Sequence, residues 1–206
     1  GATLADYFLA RGYNVTFLTH PLAQKPLGPA KIRYFSDFSS LNWLMKEELK
    51  NPFAAIIHLA AVSDYSVSEV IQNGQVVPAS PTTKIDSSED IQLLLKKNFK
   101  ILDRLRSYST NPQIKIVGFK LTSSNDPRSQ LTAVKKMFKS SDIDLAVHND
   151  LTEMTTSKHP FRVYARDFFM LDSVNGAEAL AELLEKYLFN NLSAKPVVPF
   201  GPEVTQ

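Results

Sequence analysis

The chain has 206 residues, 44% hydrophobic and 21% charged, which suits one soluble domain with a sizeable core. Its formal net charge of +2 is too small to imply nucleic-acid binding, so any anion site must come from local clusters. The absence of cysteine excludes disulfides, thiolate catalysis and thiolate metal sites, and no apolar run approaches the roughly 20 residues of a membrane span.

The opening Gly1-Ala2-Thr3-Leu4 lacks the basic region and apolar stretch of a signal peptide, so a cytoplasmic protein is expected. Over residues 2–11, Leu4, Ala5, Phe8 and Leu9 recur at helical spacing, and Gly12 stands where a helix C-terminal cap belongs. Residues 14–19 read as a strand, a Pro-rich loop follows, and residues 32–35 form a second short strand. Ser40 is the expected cap of a helix with Leu41, Leu44, Met45 and Leu49 on its apolar face, stopped by Asn51-Pro52. The continuous apolar run 54–61 predicts a strand buried on both faces. Residues 65–83, rich in Ser, Pro, Gln and Val, predict a long flap loop.

Residues 98–106 are expected to be helical, with Lys96, Lys97 and Lys100 at the opening of that helix. A strand at 114–119, a helix at 128–139 and a strand at 144–148 follow. Residues 161–171 alternate like an antiparallel hairpin, and 176–188 close with an amphipathic helix. This order predicts an α/β, doubly wound, mostly parallel Rossmann-like sheet with helices on both faces and a C-terminal antiparallel hairpin. Residues 1–206 read as a single domain that opens directly on a helix, where such folds have a preceding strand and phosphate-binding turn.

Ligands of open parallel sheets bind beyond the carboxyl ends of the strands. That rule singles out Ala60-Ala61-Val62-Ser63-Asp64, Gly118-Phe119-Lys120-Leu121 and Asn149-Asp150. Small residues at Ala60 and Ala61 let a ligand approach the backbone, while Asp64 either offers a carboxylate or merely caps a turn. Lys84 is placed to close over phosphates from the loop or simply to be solvated. Lys135 and Lys139, four apart, share one helix face and form either a polyphosphate clamp or a solvated surface. His20, His58, His148 and His159 show no metal-ligand spacing, and His58 and His148 read as satisfied core residues. Asp142, Asp144 and Asp150 read as solvated or strand-end groups, so no metal site is expected.

Taken in order, several segments resemble the phosphopantothenoylcysteine synthetase (phosphopantothenate–cysteine ligase) family, in its monofunctional form. They are Arg11-Gly12-Tyr13-Asn14-Val15-Thr16, Ala60-Ala61-Val62-Ser63-Asp64, Lys84-Ile85, Leu93 through Leu102, Val117-Gly118-Phe119-Lys120-Leu121 and Ala146-Val147-His148-Asn149-Asp150. The resemblance implies a coenzyme A biosynthesis enzyme. The carboxylate of 4′-phosphopantothenate attacks the α-phosphate of CTP, giving an acyl-cytidylate and pyrophosphate, and the amine of cysteine then displaces CMP. It implies CTP as co-substrate with ATP as the alternative, Mg2+ as a helper and a homodimer. It also assigns His58, Leu59, Ala60, Asp64, Phe99, Lys100, Ile101, Leu102, Phe119, Lys135 and Lys139 to the nucleotide, with Lys136 an alternative to Lys135. Lys84 becomes a flap residue of both nucleotide site and chemistry, and Asn149 joins it as a catalytic candidate. Phe99 stands where the family has proline, and Thr122-Ser123 where it has an acidic residue followed by Thr or Ser.

Two other readings compete. A short-chain-type NAD(P)-dependent oxidoreductase would share the strand Ile57-His58-Leu59-Ala60-Ala61, but no tyrosine is followed by lysine four positions later, and Thr19-His20 offers no carboxylate for a ribose. A non-catalytic nucleotide-binding domain would bind nucleotide without releasing pyrophosphate.

Overall fold

The computed structural model describes residues 1–77 and 90–189. Helix α1, Ala2–Ala10, buries Ala2, Leu4, Ala5 and Phe8. Gly12 then takes φ +83°, a left-handed turn that a side chain would strain, and sends the chain into β1, Thr16–Thr19. Strand β2, Lys31–Tyr34, lies parallel to β1. Helix α2, Phe38–Glu48, starts one turn earlier than the capping rule suggested. Asp37 is the cap; its carboxylate accepts from the Ser40 amide while the Ser40 hydroxyl accepts from the Asp37 amide. Ser40 is therefore the third helical residue, reciprocating the cap.

Strand β3, Ala55–His58, begins a five-stranded sheet in the order β10-β9-β8-β7-β3. Strands β7, Lys115–Thr122, and β8, Leu145–Asp150, continue it in parallel. Strands β9, Pro160–Ala165, and β10, Met170–Asn175, close it as an antiparallel hairpin. The expected mixed sheet and terminal hairpin are both present. Helices lie on both faces. One core joins Leu4 and Phe8 of α1 to Val117, Val147, Val163 and to Leu180 and Leu184 of α5, Ala177–Phe189. The other joins Leu41 of α2, Leu105 of α3 (Leu105–Tyr108) and Val134 of α4 (Pro127–Ser140) to Ile116 and Ala146.

Two expectations change. The segment predicted as a loop from residue 65 is, as far as residue 77, a pair of antiparallel strands, β4 Tyr65–Gln72 and β5 Gln75–Val77, turned by Asn73 and Gly74, both at positive φ. The turn pair Asn-Gly is the hairpin signal that composition obscured. Residues 78–83 and Lys84 lie outside the described residues. The lysines expected to open a helix, Lys96 and Lys97, instead end β6, Ile91–Lys97, which completes the order β5-β4-β6. Only a 3₁₀ turn, Ile101–Arg104, and the short α3 remain helical there. Apolar Leu93, Leu94 and Leu95 fit a strand as well as a helix, and pairing with β4 decides between them.

Candidate functional site

A step in the sheet defines the site. Strand β3 stops at His58 opposite Gly118, whereas β7 runs on beside β8 to Thr122, opposite Asp150. Above the end of β3 the chain leaves as Leu59-Ala60-Ala61-Val62-Ser63-Asp64, and Phe119 to Thr122 rise beside it. This is the carboxyl edge, where open sheets bind ligands. His58, Leu59 and Ala60 also line a cavity of about 610 Å³ that continues downward between β3 and β1.

Asp64 is exposed at the rim. The loop that carries it is held by Asn98, whose amide nitrogen donates to the Ser63 carbonyl (3.0 Å) and to the Ser66 hydroxyl, while its backbone N–H reaches the Asp64 carbonyl at 2.8 Å. Asn98 fixes the rim, a role that sequence reasoning missed by placing it at a helix start. An asparagine closing a strand beside a loop was the available signal.

The two faces of β7 carry different groups. Gly118 faces Leu102, Ile143 and Met137, so Lys120 and Thr122 lie on that same face, beneath α4. Phe119 packs on the opposite face, with the α1–α5 core. Phe99, by contrast, packs with the α2–α4 core, edge-on to Phe38 and under the Arg104 guanidinium at 3.5 Å. Phe119 and the residues Phe99, Ile101 and Leu102 thus pack with opposite cores of the sheet. Ile101 is buried, Leu102 half-buried against Gly118, and Lys100 exposed.

Under α4 lies a buried polar cluster. The Thr122 hydroxyl donates to the Asp150 carboxylate and stands 2.7 Å from His148 Nε2. Asp150 also accepts from the Ser124 amide (3.0 Å) and from the Thr152 amide and hydroxyl at 2.8 and 2.7 Å. Burial by itself would raise the Asp150 pKa, but these hydrogen bonds outweigh it and hold the carboxyl below its ordinary value. Asp150 ends β8, as one of the two expected alternatives has it, and is a buried anchor rather than a solvated group. Asp142 and Asp144 are ion-paired, Asp142 with Arg106 and Arg166 and Asp144 with Arg106 at 2.8 Å.

His58 and His148 are buried, as expected, but each leaves Nδ1 without a hydrogen-bond partner among the described residues, so neither is fully satisfied. Burial lowers the His58 pKa to about 4. Desolvation, then the charge of Arg162, lowers that of His148. Both rings are neutral at pH 7.

On the other face, Asn149 reaches His159 Nε2 at 3.2 Å and the Met154 sulfur at 3.7 Å. It lies at the carboxyl edge, as expected.

Lys135 and Lys139 do not join this edge. Helix α4 starts at Pro127, just after β7 ends, and runs back to deliver the chain to the amino end of β8. Lys139 sits in its last turn, roughly 18 Å along the axis from the first residue. Lys135 lies over the Phe168 ring (5.7 Å), in the β9–β10 turn next to the start of β8. Four-residue spacing identifies a helix face but not which end of the helix meets the ligand. The cation that β7 itself brings to the carboxyl edge is Lys120, which sequence analysis quoted without assigning a role.

A family model, the DNA/pantothenate metabolism flavoprotein C-terminal domain, matches residues 1–186. The chain belongs to this family. A coenzyme A biosynthesis bifunctional protein CoaBC of Methanocaldococcus jannaschii is 25% identical over 86% of this chain and 40% of its own length. Its counterpart in Thermococcus kodakarensis is 26% identical over 82% and 39%. The chain thus spans about two fifths of the curated relatives it matches. Among solved structures, the DNA/pantothenate metabolism flavoprotein from Streptococcus pneumoniae aligns with TM-score 0.76 and 26% identity, over 91% of this chain and 85% of that one. A Cab2 mutant in complex with phosphopantothenate-cysteine aligns at TM-score 0.64 and 21% identity, over 91% and 75%, a likeness of fold. Family membership disfavours the oxidoreductase reading.

Among the described residues no helix is long and apolar enough to cross a membrane, and no three metal-binding side chains gather.

Proposed function

We propose that the chain ligates cysteine to 4′-phosphopantothenate through an acyl-nucleotide. A carboxylate does not form an amide in water unaided, because its oxygen is too poor a leaving group. Attack of the carboxylate on the α-phosphate of CTP breaks the α–β phosphoanhydride and releases pyrophosphate. The amine of cysteine then attacks the acyl carbon, CMP departs, and a proton leaves the nitrogen. The product is phosphopantothenoylcysteine. ATP is the alternative nucleotide.

The observation that carries this reading is the family match over residues 1–186, which contains the step at the end of β3. There Ala60 offers backbone close to a ligand and Asp64 a carboxylate at the rim, with Asn149 and Phe119 on one face of the crevice and Lys120 on the other. Such an edge positions reactants and stabilises phosphate charge rather than supplying a nucleophile. In this reading Lys84 closes the site and assists acyl transfer. The described side chains form no cage for Mg2+, so the ion would arrive on the triphosphate. We also propose a homodimer, following the family resemblance.

The test mixes the protein with CTP or ATP, 4′-phosphopantothenate and cysteine, and measures pyrophosphate. Release that requires both the nucleotide and phosphopantothenate supports the reading. Folded protein that binds nucleotide yet releases none with either nucleotide supports the non-catalytic alternative instead.

A further inference from the structure

Asn149 and His159 meet across the connection from β8 to β9. The amide nitrogen of Asn149 lies 3.2 Å from His159 Nε2 and 3.7 Å from the Met154 sulfur. A thioether sulfur only accepts, so the atom beside it is the NH2 group, and its hydrogens are directed at this connection. The carbonyl oxygen of the same amide then points the other way. It takes no hydrogen bond among the described residues, and it is not a buried orphan either. Leu121, the partner of Asn149 across the β7–β8 ladder, is exposed, so this stretch of the crevice wall stands open.

His159 does not depend on Asn149 for its place. Its amide donates to Asn175 Oδ1 at 2.7 Å, and its carbonyl accepts from the Gly176 amide at 3.0 Å. Its ring stacks on Phe161, with centroids 4.3 Å apart and planes 23° from parallel. An asparagine amide has nearly the same shape either way round, and without a neighbour to choose it offers a ligand its oxygen or its nitrogen. A fixed acceptor removes that ambiguity. We infer that His159 is a positioning residue: with its proton on Nδ1, it holds Asn149 so that the side-chain oxygen faces the crevice and accepts from an N–H or O–H of a bound substrate. The inference rests on the ligase reading for what that substrate is. In that reaction the donors are the amine of cysteine, the sugar hydroxyls and base amino group of the nucleotide, and the hydroxyl of phosphopantothenate. Carboxylate and phosphate are turned away, because oxygen would face oxygen.

Two measurements test this. Long-range nitrogen–proton NMR correlations of the free protein in mildly alkaline buffer read the His159 tautomer, whatever the chain catalyses. An unprotonated Nε2 is expected, and a proton on Nε2 overturns the proposal. Steady-state kinetics, followed as pyrophosphate release, then compare His159→Leu with His159→Gln, whose side-chain carbonyl keeps an acceptor for the Asn149 amide. His159→Leu should raise the KM of one substrate about three- to tenfold, the effect of one lost hydrogen bond, and His159→Gln should restore most of it. The substrate whose KM moves names the donor: cysteine its amine, the nucleotide its sugar or base, phosphopantothenate its hydroxyl. Equal effects of the two variants, or a uniform rise in all three KM values, overturn the proposal. A wild-type chain that releases no pyrophosphate with CTP or ATP removes the ligase reading and not this one, because the tautomer still decides how Asn149 is held.

Discussion

Replacing Gly118 by alanine tests how β7 meets the segment Ile101-Leu102. A Cβ there would stand 2.9 Å from Leu102 Cδ2, with Ile143 Cδ1 and the Met137 sulfur at 3.4 Å. Carbon pairs favour about 3.5–4.0 Å, so Leu102 has to move. The φ of Gly118 lies outside the left-handed region, and alanine by itself would gain about 0.5–1 kcal/mol from reduced chain entropy. Overpacking costs about 1–3 kcal/mol. The expected net loss is up to about 2.5 kcal/mol, which lowers the melting point by up to roughly 10 °C in a chain of this size. A cycle isolates the cause. With Leu102→Ala already in place, Gly118→Ala should become neutral or stabilising by up to about 1 kcal/mol, a coupling of about 1–3 kcal/mol. Urea unfolding of the four proteins measures it. Additivity within about 0.5 kcal/mol would refute the contact, and with it the idea that Leu102 is seated by the missing side chain.

Below pH 6.5 the unfolded His58 takes up a proton that the buried ring refuses until about pH 4, so its contribution to stability should fall across that window by about 3 kcal/mol; His58→Gln should remove that share of the slope in urea midpoints and leave the share of His148. Asp150 acts lower: its folded pKa is depressed, so its contribution is full above the ordinary carboxylate range and lost as pH falls through the folded value, and the gap between wild type and Asp150→Asn should narrow only in acid. Lys120→Gln should weaken triphosphate binding several-fold in calorimetry while Lys139→Ala leaves it unchanged; the reverse result would restore the α4 clamp read from the sequence. Lys84→Ala should cut amide formation strongly with unchanged melting, and unaltered turnover would remove it from the flap role.

The elements that periodicity made legible were those with long unbroken patterns. Helices α1, α4 and α5, the strands β3, β7 and β8 and the terminal hairpin all follow from local spacing, although β3 spans only Ala55–His58 of the run 54–61 and is half-buried rather than buried on both faces. Region 65–97 was misread because its information is not local: β6 is a strand by virtue of pairing with β4, some 26 residues away. The site was legible as positions after strand ends. Side-chain direction was less so, because faces invert at every residue. A shift of one position moves a group between the α4 face and the α5 face, so Gly118 and Phe119, adjacent in sequence, meet opposite cores.

The same alternation explains why a buried polar cluster belongs beside the half-buried Asn149. His148 and Asp150 both point beneath α4, where Thr122 bridges them and Asp150 collects the amides of Ser124 and Thr152. With the residues on either side locked into one face, Asn149 has only the opposite face open to it, toward His159 and the side that Phe119 occupies. The cluster also ties the turn after β7 to the end of β8, so the two strands that outrun β3 keep a fixed height above its end. The crevice wall is therefore pinned by the hydrogen bonds that Asp150 gathers, while His148 Nδ1 is left without a partner among the described residues. Loosening Thr122 or Asp150 should disturb the direction of Asn149 before it disturbs the sheet.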